Sequence, residues 1–225
     1  MHVLVIASRK GGSGKTTLAG HLAVEAERCG QGPVAVMDID PQGSLSDWWN
    51  ARKAETPIFV NTTLGTLTSD IEQLRKNGFR LVVIDTPPAI TGAIRDVVDV
   101  ADLVLIPTRP SPHDLRSAAK TVALVEDMGK PLVFAINAAT PRARITRETT
   151  AALSQHGPMA PCLIHLRIDF ASSMIDGRTV MELASSPLAS SEIARVWDYL
   201  ATRMELSPAH REEPVVEDNV AVVST

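Results

Sequence analysis

A chain of 225 residues that is 44% hydrophobic and 21% charged has the composition of one globular domain, long enough to bury roughly 70% of the surface its unfolded form exposes. Nowhere do eighteen apolar residues run without a charge or a breaker, which argues against a membrane-spanning helix. A formal net charge of −4 argues against a protein basic all over, yet leaves room for a local basic stripe that holds a phosphate backbone. The two cysteines, Cys29 and Cys162, lie far apart with no further ligand at metal-binding spacing, so they read as buried or incidental thiols and no zinc or iron–sulfur site is expected.

The first predicted element is a strand, Val3 to Ala7. Met1-His2-Val3-Leu4-Val5-Ile6 lacks the basic lead and small-residue cleavage site of a signal peptide, so a cytoplasmic location is expected. The strand runs into Lys10-Gly11-Gly12-Ser13-Gly14-Lys15-Thr16-Thr17, and a helical spacing of Leu18, Leu22 and Ala26 begins at Thr16. Strand, glycine-rich turn, lysine, hydroxyl and helix in that order make a phosphate loop rather than a flexible turn. Gly11, Gly12 and Gly14 let successive N–H groups approach phosphate oxygens, and the helix adds its positive end. Lys15 is expected to reach the β- and γ-phosphates of ATP, Thr16 to complete the coordination of Mg2+, and Thr17 to support the α-phosphate. Arg9 stands where the ordinary motif has its first glycine, and Lys10 places a second lysine in the loop.

A buried strand, Val34 to Met37, ends in Asp38-Ile39-Asp40-Pro41-Gln42-Gly43-Ser44. Ligand sites of open parallel sheets lie at that edge. Asp40 can accept a hydrogen bond from an attacking water and Asp38 can hold a magnesium-bound water. Asp, Pro and Gly are also ordinary turn formers, and only the neighbouring phosphate loop favours the catalytic reading. After a helix spaced as Leu67, Ile71 and Leu74, the strand Leu81 to Ile84 closes on Asp85-Thr86-Pro87-Pro88, an apolar run ending in a carboxylate that supports magnesium through water. No glutamate follows Asp85, which leaves Asp40 as the activating carboxylate and predicts slow hydrolysis.

The strand Leu103 to Ile106, the helix marked by Leu115, Ala119, Val122 and Val125, and the strand Leu132 to Ile136 follow. Asn137, at the end of that strand, reads equally as a base contact or as the cap of a turn before Pro141. Arg142, Arg144, Arg147, Arg167 and Arg178 outnumber nearby acids and can form a phosphate-binding surface as a group, although each alone reads as a solvated arginine. A sixth strand is predicted over Cys162 to Leu166 and a last helix around Ile193, Val196, Trp197 and Leu200; residues 205–225 read as a disordered acidic tail after a domain of residues 1–204. Non-alternating apolar strands between helices predict an α/β fold: a doubly wound, mostly parallel sheet flanked by helices.

Lys10 to Thr16 resembles, without a gap, the deviant Walker A motif K-G-G-x-G-K-[ST] of the ParA/MinD family of P-loop ATPases. Asp38 to Ser44 is similar to that family's D-x-D-P-Q-G-[NS] segment, Asp85 to Pro88 to its D-x-P-P segment, and Ile106 to Ser111 to its strand-end loop. The resemblance covers about residues 1–204 and is nearest to small partition ATPases without an amino-terminal DNA-binding domain. It extends along Asp38 to Trp48, where Trp48 and Trp49 also read as helix packing.

By that resemblance Lys10 crosses a sandwich homodimer formed with ATP to touch the partner's nucleotide, and Asp40 orients the attacking water. Basic residues of the carboxyl-terminal third, Arg167 and then Arg147, bind nonspecific DNA. The implied protein is nucleoid-associated, has weak basal ATPase activity stimulated by a ParB-like cargo adaptor, and positions a plasmid, chromosome or other large assembly. A membrane-targeting helix of the MinD kind is absent from residues 205–225. Two other classes stay open: a P-loop metabolic enzyme of the dethiobiotin-synthetase or cobyric-acid type, and a scaffold switch that positions proteins without DNA.

Overall fold

A computed structural model describes residues 1–88 and 92–206, so nearly all of the predicted tail lies outside the described residues. Six strands, β1 (His2–Ile6), β2 (Val34–Asp38), β3 (Ile58–Phe59), β4 (Leu81–Asp85), β5 (Leu103–Thr108) and β6 (Leu132–Ile136), form one sheet in the order β3-β2-β4-β1-β5-β6. Every pairing is parallel. The helices are α1 (Lys15–Arg28), α2 (Ser44–Asn50), α3 (Leu67–Lys76), α4 (Gly92–Asp99), α5 (Pro112–Asp127), α6 (Arg144–Leu153), α7 (Ile168–Met174) and α8 (Pro187–Arg203), with a 3-10 turn at Val180–Glu182. The doubly wound α/β fold expected from the sequence is the fold found.

The apolar strands do not alternate with polar residues because both faces of the sheet are covered. Leu4 and Ile6 join a core with α1, α7 and α8, whereas Val3, Val5 and Ala7 point into a second core with α3, α4 and α5. Leu4 is fully buried, and truncating such a side chain to alanine costs about 2–5 kcal/mol. Trp48 also turned inward: its ring packs in the first core and its indole N–H donates to the Arg178 carbonyl at 3.1 Å.

One predicted strand is corrected. Cys162 to Leu166 runs beside β6 but makes scattered bonds, Ile164 N–H to Ile136 O at 3.0 Å, Ala139 N–H to Ile164 O at 2.9 Å and Leu166 N–H to Ala139 O at 3.0 Å, with a single bridge at Ala139 and His165. Ala160 N–H bonds the Phe134 carbonyl and Ile164 N–H the Ile136 carbonyl, so the segment spends four residues where β6 advances two and the ladder breaks into fragments. The short edge strand β3 carried no apolar run long enough to announce it.

Strand register builds the site. Ile6 and Asp38 are both paired with Asp85, so the mouth of the loop after β1 and two carboxylates share one level at the carboxyl edge of the sheet. β1 sits between β4 and β5, and ligand crevices of doubly wound sheets open at such a position.

Candidate functional site

The glycine-rich loop joins β1 to α1, and Gly14, the residue before α1, has φ +97°. A Cβ there would stand 2.0 Å from Nδ2 of Asn137, so both the left-handed backbone and the close approach require glycine. Asn137 donates from Nδ2 to the Ser13 carbonyl at 2.7 Å, while its Oδ1 accepts the Ala138 N–H at 2.9 Å. It therefore braces the loop from the end of β6.

The two lysines divide. Lys15 is 7% exposed, and burial lowers its pKa against the opposing pull of Asp85 and Asp40. Lys10 is exposed at the outer turn. A cavity of about 350 Å3 is lined by Gly11, Gly12, Gly14, Lys15, Thr16 and Thr17 on the loop side, and by Asp40, Gln42, Ser44, Pro88 and Arg109 opposite. The α1 N-terminus faces it, which suits phosphate.

The Thr16 hydroxyl donates to Oδ2 of Asp85 at 2.5 Å. Asp85 has no exposed surface, and burial pushes its pKa up to about 7, with Asp38 adding to the shift and Thr16, Lys15 and the Thr86 N–H opposing it. These hard oxygen donors fit Mg2+. Among the described residues no group of three or more His, Cys, Asp or Glu side chains can hold a metal ion.

Asp38 and Asp40 play different parts. Asp38 accepts the Asp40 N–H at 2.9 Å on one oxygen, and the Leu45 and Ser46 N–H groups at 2.9 and 3.1 Å on the other. It clamps the turn to the start of α2; burial raises its pKa and the three N–H bonds resist. Among the described residues the Asp40 carboxylate accepts only the Gln42 N–H, at 3.0 Å, and Asp40 lines the cavity.

Arg167 and Arg147 are not brought together. Arg147 is exposed on α6, on the β6 side that packs with α5, whereas Arg167 precedes α7 in the other layer. Arg167 gives Nη2 to Oε1 of Glu192 at 2.7 Å; that carboxylate also accepts Nδ1 of His165 at 2.7 Å and the His165 N–H at 3.0 Å. The group lies beside a second cavity of about 140 Å3, which Gly14, Thr17, Asn137 and Arg109 share with His165 and Arg167. Arg109, which lines both cavities, was not among the site residues read from the sequence; its only signal there was the strand-end loop it belongs to. Gln42 and Ser44, also in the wall, lay inside a segment already singled out.

A family model described as the CobQ/CobB/MinD/ParA nucleotide binding domain matches residues 4–180. Maintenance of carboxysome distribution protein A of Halothiobacillus neapolitanus is 28% identical over 203 residues, covering 86% of this chain and 93% of that protein. Among solved structures, apo McdA of Cyanothece superposes with a TM-score of 0.75 at 18% identity, over 89% of this chain and 99% of the other. The MinC:MinD cell division protein complex of Aquifex aeolicus gives 0.74 at 18% identity, over 90% and 96%. At that identity the two structures speak for the fold, while the family match spans the phosphate loop and both carboxylate segments. This chain belongs to the CobQ/CobB/MinD/ParA nucleotide-binding-domain family.

Proposed function

We propose that the chain is an ATPase that dimerises around ATP and Mg2+, binds DNA nonspecifically as a dimer, and positions a cargo until an adaptor protein of the ParB kind stimulates slow hydrolysis. The observation that carries this reading is the division of the two loop lysines, Lys15 buried against the cavity and Lys10 exposed on the outer turn. A lysine turned outward beside a phosphate cavity is placed to meet the nucleotide of a second copy, in the manner of an arginine finger acting in trans. The name of the Halothiobacillus relative concerns carboxysome distribution, which favours a large assembly as the cargo and a cytoplasmic, nucleoid-associated location over a metabolic enzyme.

In this mechanism Lys15 and the loop N–H groups hold the β- and γ-phosphates, Thr16 offers its hydroxyl toward the metal, and Asp85 anchors Thr16 from behind. Mg2+, when bound, offsets charge on the β- and γ-phosphate oxygens. Asp40 orients the attacking water, and Asp38 fixes the turn that carries Asp40. Thr86 follows Asp85 where many P-loop ATPases have a glutamate, which keeps unstimulated turnover slow. Contacts from Lys10 exist only with a triphosphate in place, so nucleotide state sets the dimer population.

The test is a comparison of ATP with ADP. Light scattering should show dimers, and a duplex should shift, with ATP and not with ADP, and Lys10→Ala should lose both. Strictly monomeric protein in ATP, or equal DNA binding with either nucleotide, would end this reading.

A further inference from the structure

α5 carries a cationic face beside the phosphate loop. His113, Arg116, Ser117 and Lys120 recur at i, i+3, i+4 and i+7, and with Arg9 at the mouth of the loop they line a cavity of about 280 Å3. It shares no residue with either cavity at the nucleotide site. Among the described residues no carboxylate lines it: Asp114, the acid of that turn, is buried and accepts the Ser111 hydroxyl at 2.5 Å. Arg52, Arg95, Arg144, Arg167 and Arg178 each hold a carboxylate, whereas among the described residues Arg9, Arg116 and Lys120 make no ion pair. Like charges four residues apart on a helix repel one another, and an anion seated between them relieves that repulsion.

We infer that this face, Arg9 with Arg116 and Lys120 of α5, grips the phosphate backbone of duplex DNA. The inference rests on the DNA-binding reading above and goes further by moving the contact away from Arg167, which Glu192 already holds. The seven steps from His113 to Lys120 rise about 10 Å along the helix, a length that meets about three phosphates of one strand at about 3.4 Å each along the duplex axis. A protein partner would seek aromatic or large aliphatic anchors, and the cavity offers none; the strongly exposed apolar side chains, Leu166, Ile168, Ile175 and Leu188, lie elsewhere. Arg9 belongs to the same loop as Lys10 and Gly11, so a nucleotide that orders the loop also orders a backbone contact.

The test uses Arg116→Ala/Lys120→Ala, both exposed positions on a helix that alanine favours, with Arg116→Gln/Lys120→Gln as a second pair. Anisotropy of a labelled duplex of arbitrary sequence is followed in ATP and Mg2+ across salt concentrations, beside light scattering for the dimer and phosphate release for turnover. Affinity should fall about tenfold for each residue removed at about 0.1 M salt, equally for all sequences, and the slope of log K against log salt should shrink by about 1 per residue. Dimer formation and basal turnover should match the unaltered chain.

If the unaltered chain binds DNA and both pairs bind it with the same affinity and slope, the face serves another polyanion, such as an acidic protein segment, and the inference is overturned. If DNA binding and the ATP-dependent dimer disappear together, the face is a contact between copies and the inference is equally overturned. An unaltered chain that binds no DNA in ATP overturns the inference and the DNA-binding reading alike.

Discussion

Replacing Asp85 with asparagine should stabilise the protein when nucleotide and metal are absent, by an amount that grows with pH. Asp85 is fully buried at the end of β4, and its pKa stands at about 7 against 3.8 for the ordinary group. A raised carboxylate pKa means that the fold disfavours the charged form. Stability from this group is therefore complete below about 3.8 and is lost progressively until the pH passes about 7. The full interval is worth about 4 kcal/mol, since each tenfold in proton affinity is about 1.4 kcal/mol. An asparagine amide oxygen can still accept the Thr16 hydroxyl or the Thr86 N–H but never charges. Urea unfolding of Asp85→Asn and the unaltered chain, both without nucleotide and magnesium, should give nearly equal stabilities at about pH 4 and a gap of a few kcal/mol at about pH 8. A gap that stays constant across that range, or one that shrinks as pH rises, would refute the burial argument. The same variant should lose magnesium-dependent turnover, because an amide that still holds Thr16 has no negative charge to offer a magnesium-bound water.

Gly14→Ala forces a Cβ to within 2.0 Å of the Asn137 amide at φ +97°; it should abolish nucleotide binding by calorimetry and cost about 1–3 kcal/mol in denaturant unfolding. Asp40→Ala should keep nucleotide binding, lower phosphate release by about 10²–10⁴-fold, and trap an ATP-bound dimer; normal turnover would remove Asp40 from the water-orienting role. His21 is wholly buried on α1, with Nδ1 donating to the Thr17 carbonyl at 2.7 Å and Nε2 accepting the Val180 N–H at 3.2 Å. Burial lowers its pKa from 6.5 to about 4, so its contribution is present above 6.5 and about 3 kcal/mol is lost as pH falls through about 4. An acid-unfolding series should show that loss in the unaltered chain and not in His21→Gln.

The fold was legible wherever one sheet layer or one helix face repeated over several residues. The runs at Val3 to Ala7 and Leu81 to Ile84 announce β1 and β4 because a strand covered on both faces needs apolar residues at consecutive positions, and Leu67, Ile71 and Leu74 announce α3 by one buried stripe. Cys162 to Leu166 imitated a strand by composition alone. Whether a run joins a ladder depends on its register with the neighbouring strand, and this one slips by two residues against β6 between Ala160 and Ile164. β3 failed in the opposite way, since two residues carry no period, and only the open edge of β2 makes them a strand.

The site divides along the same line. Lys10 to Thr17, Asp38, Asp40 and Asp85 sit on segments whose shape is local, a tight glycine turn and two strand ends, so chemistry and spacing could be read together. Arg109 enters the wall only because β5 lies beside β1, and Asn137 reaches the Ser13 carbonyl across 124 positions of sequence. Arg167 shows what the sequence could not: its charge and place in the chain suggested a phosphate, and the fold adds that a glutamate on α8, 25 residues away, accepts its Nη2. A cation's residue type states what it can bind, and only its neighbours in three dimensions state whether it is already bound. By that criterion the stripe of α5, whose Arg116 and Lys120 make no ion pair among the described residues, would have the stronger physical claim to a backbone phosphate, although the order of residues alone favoured Arg167.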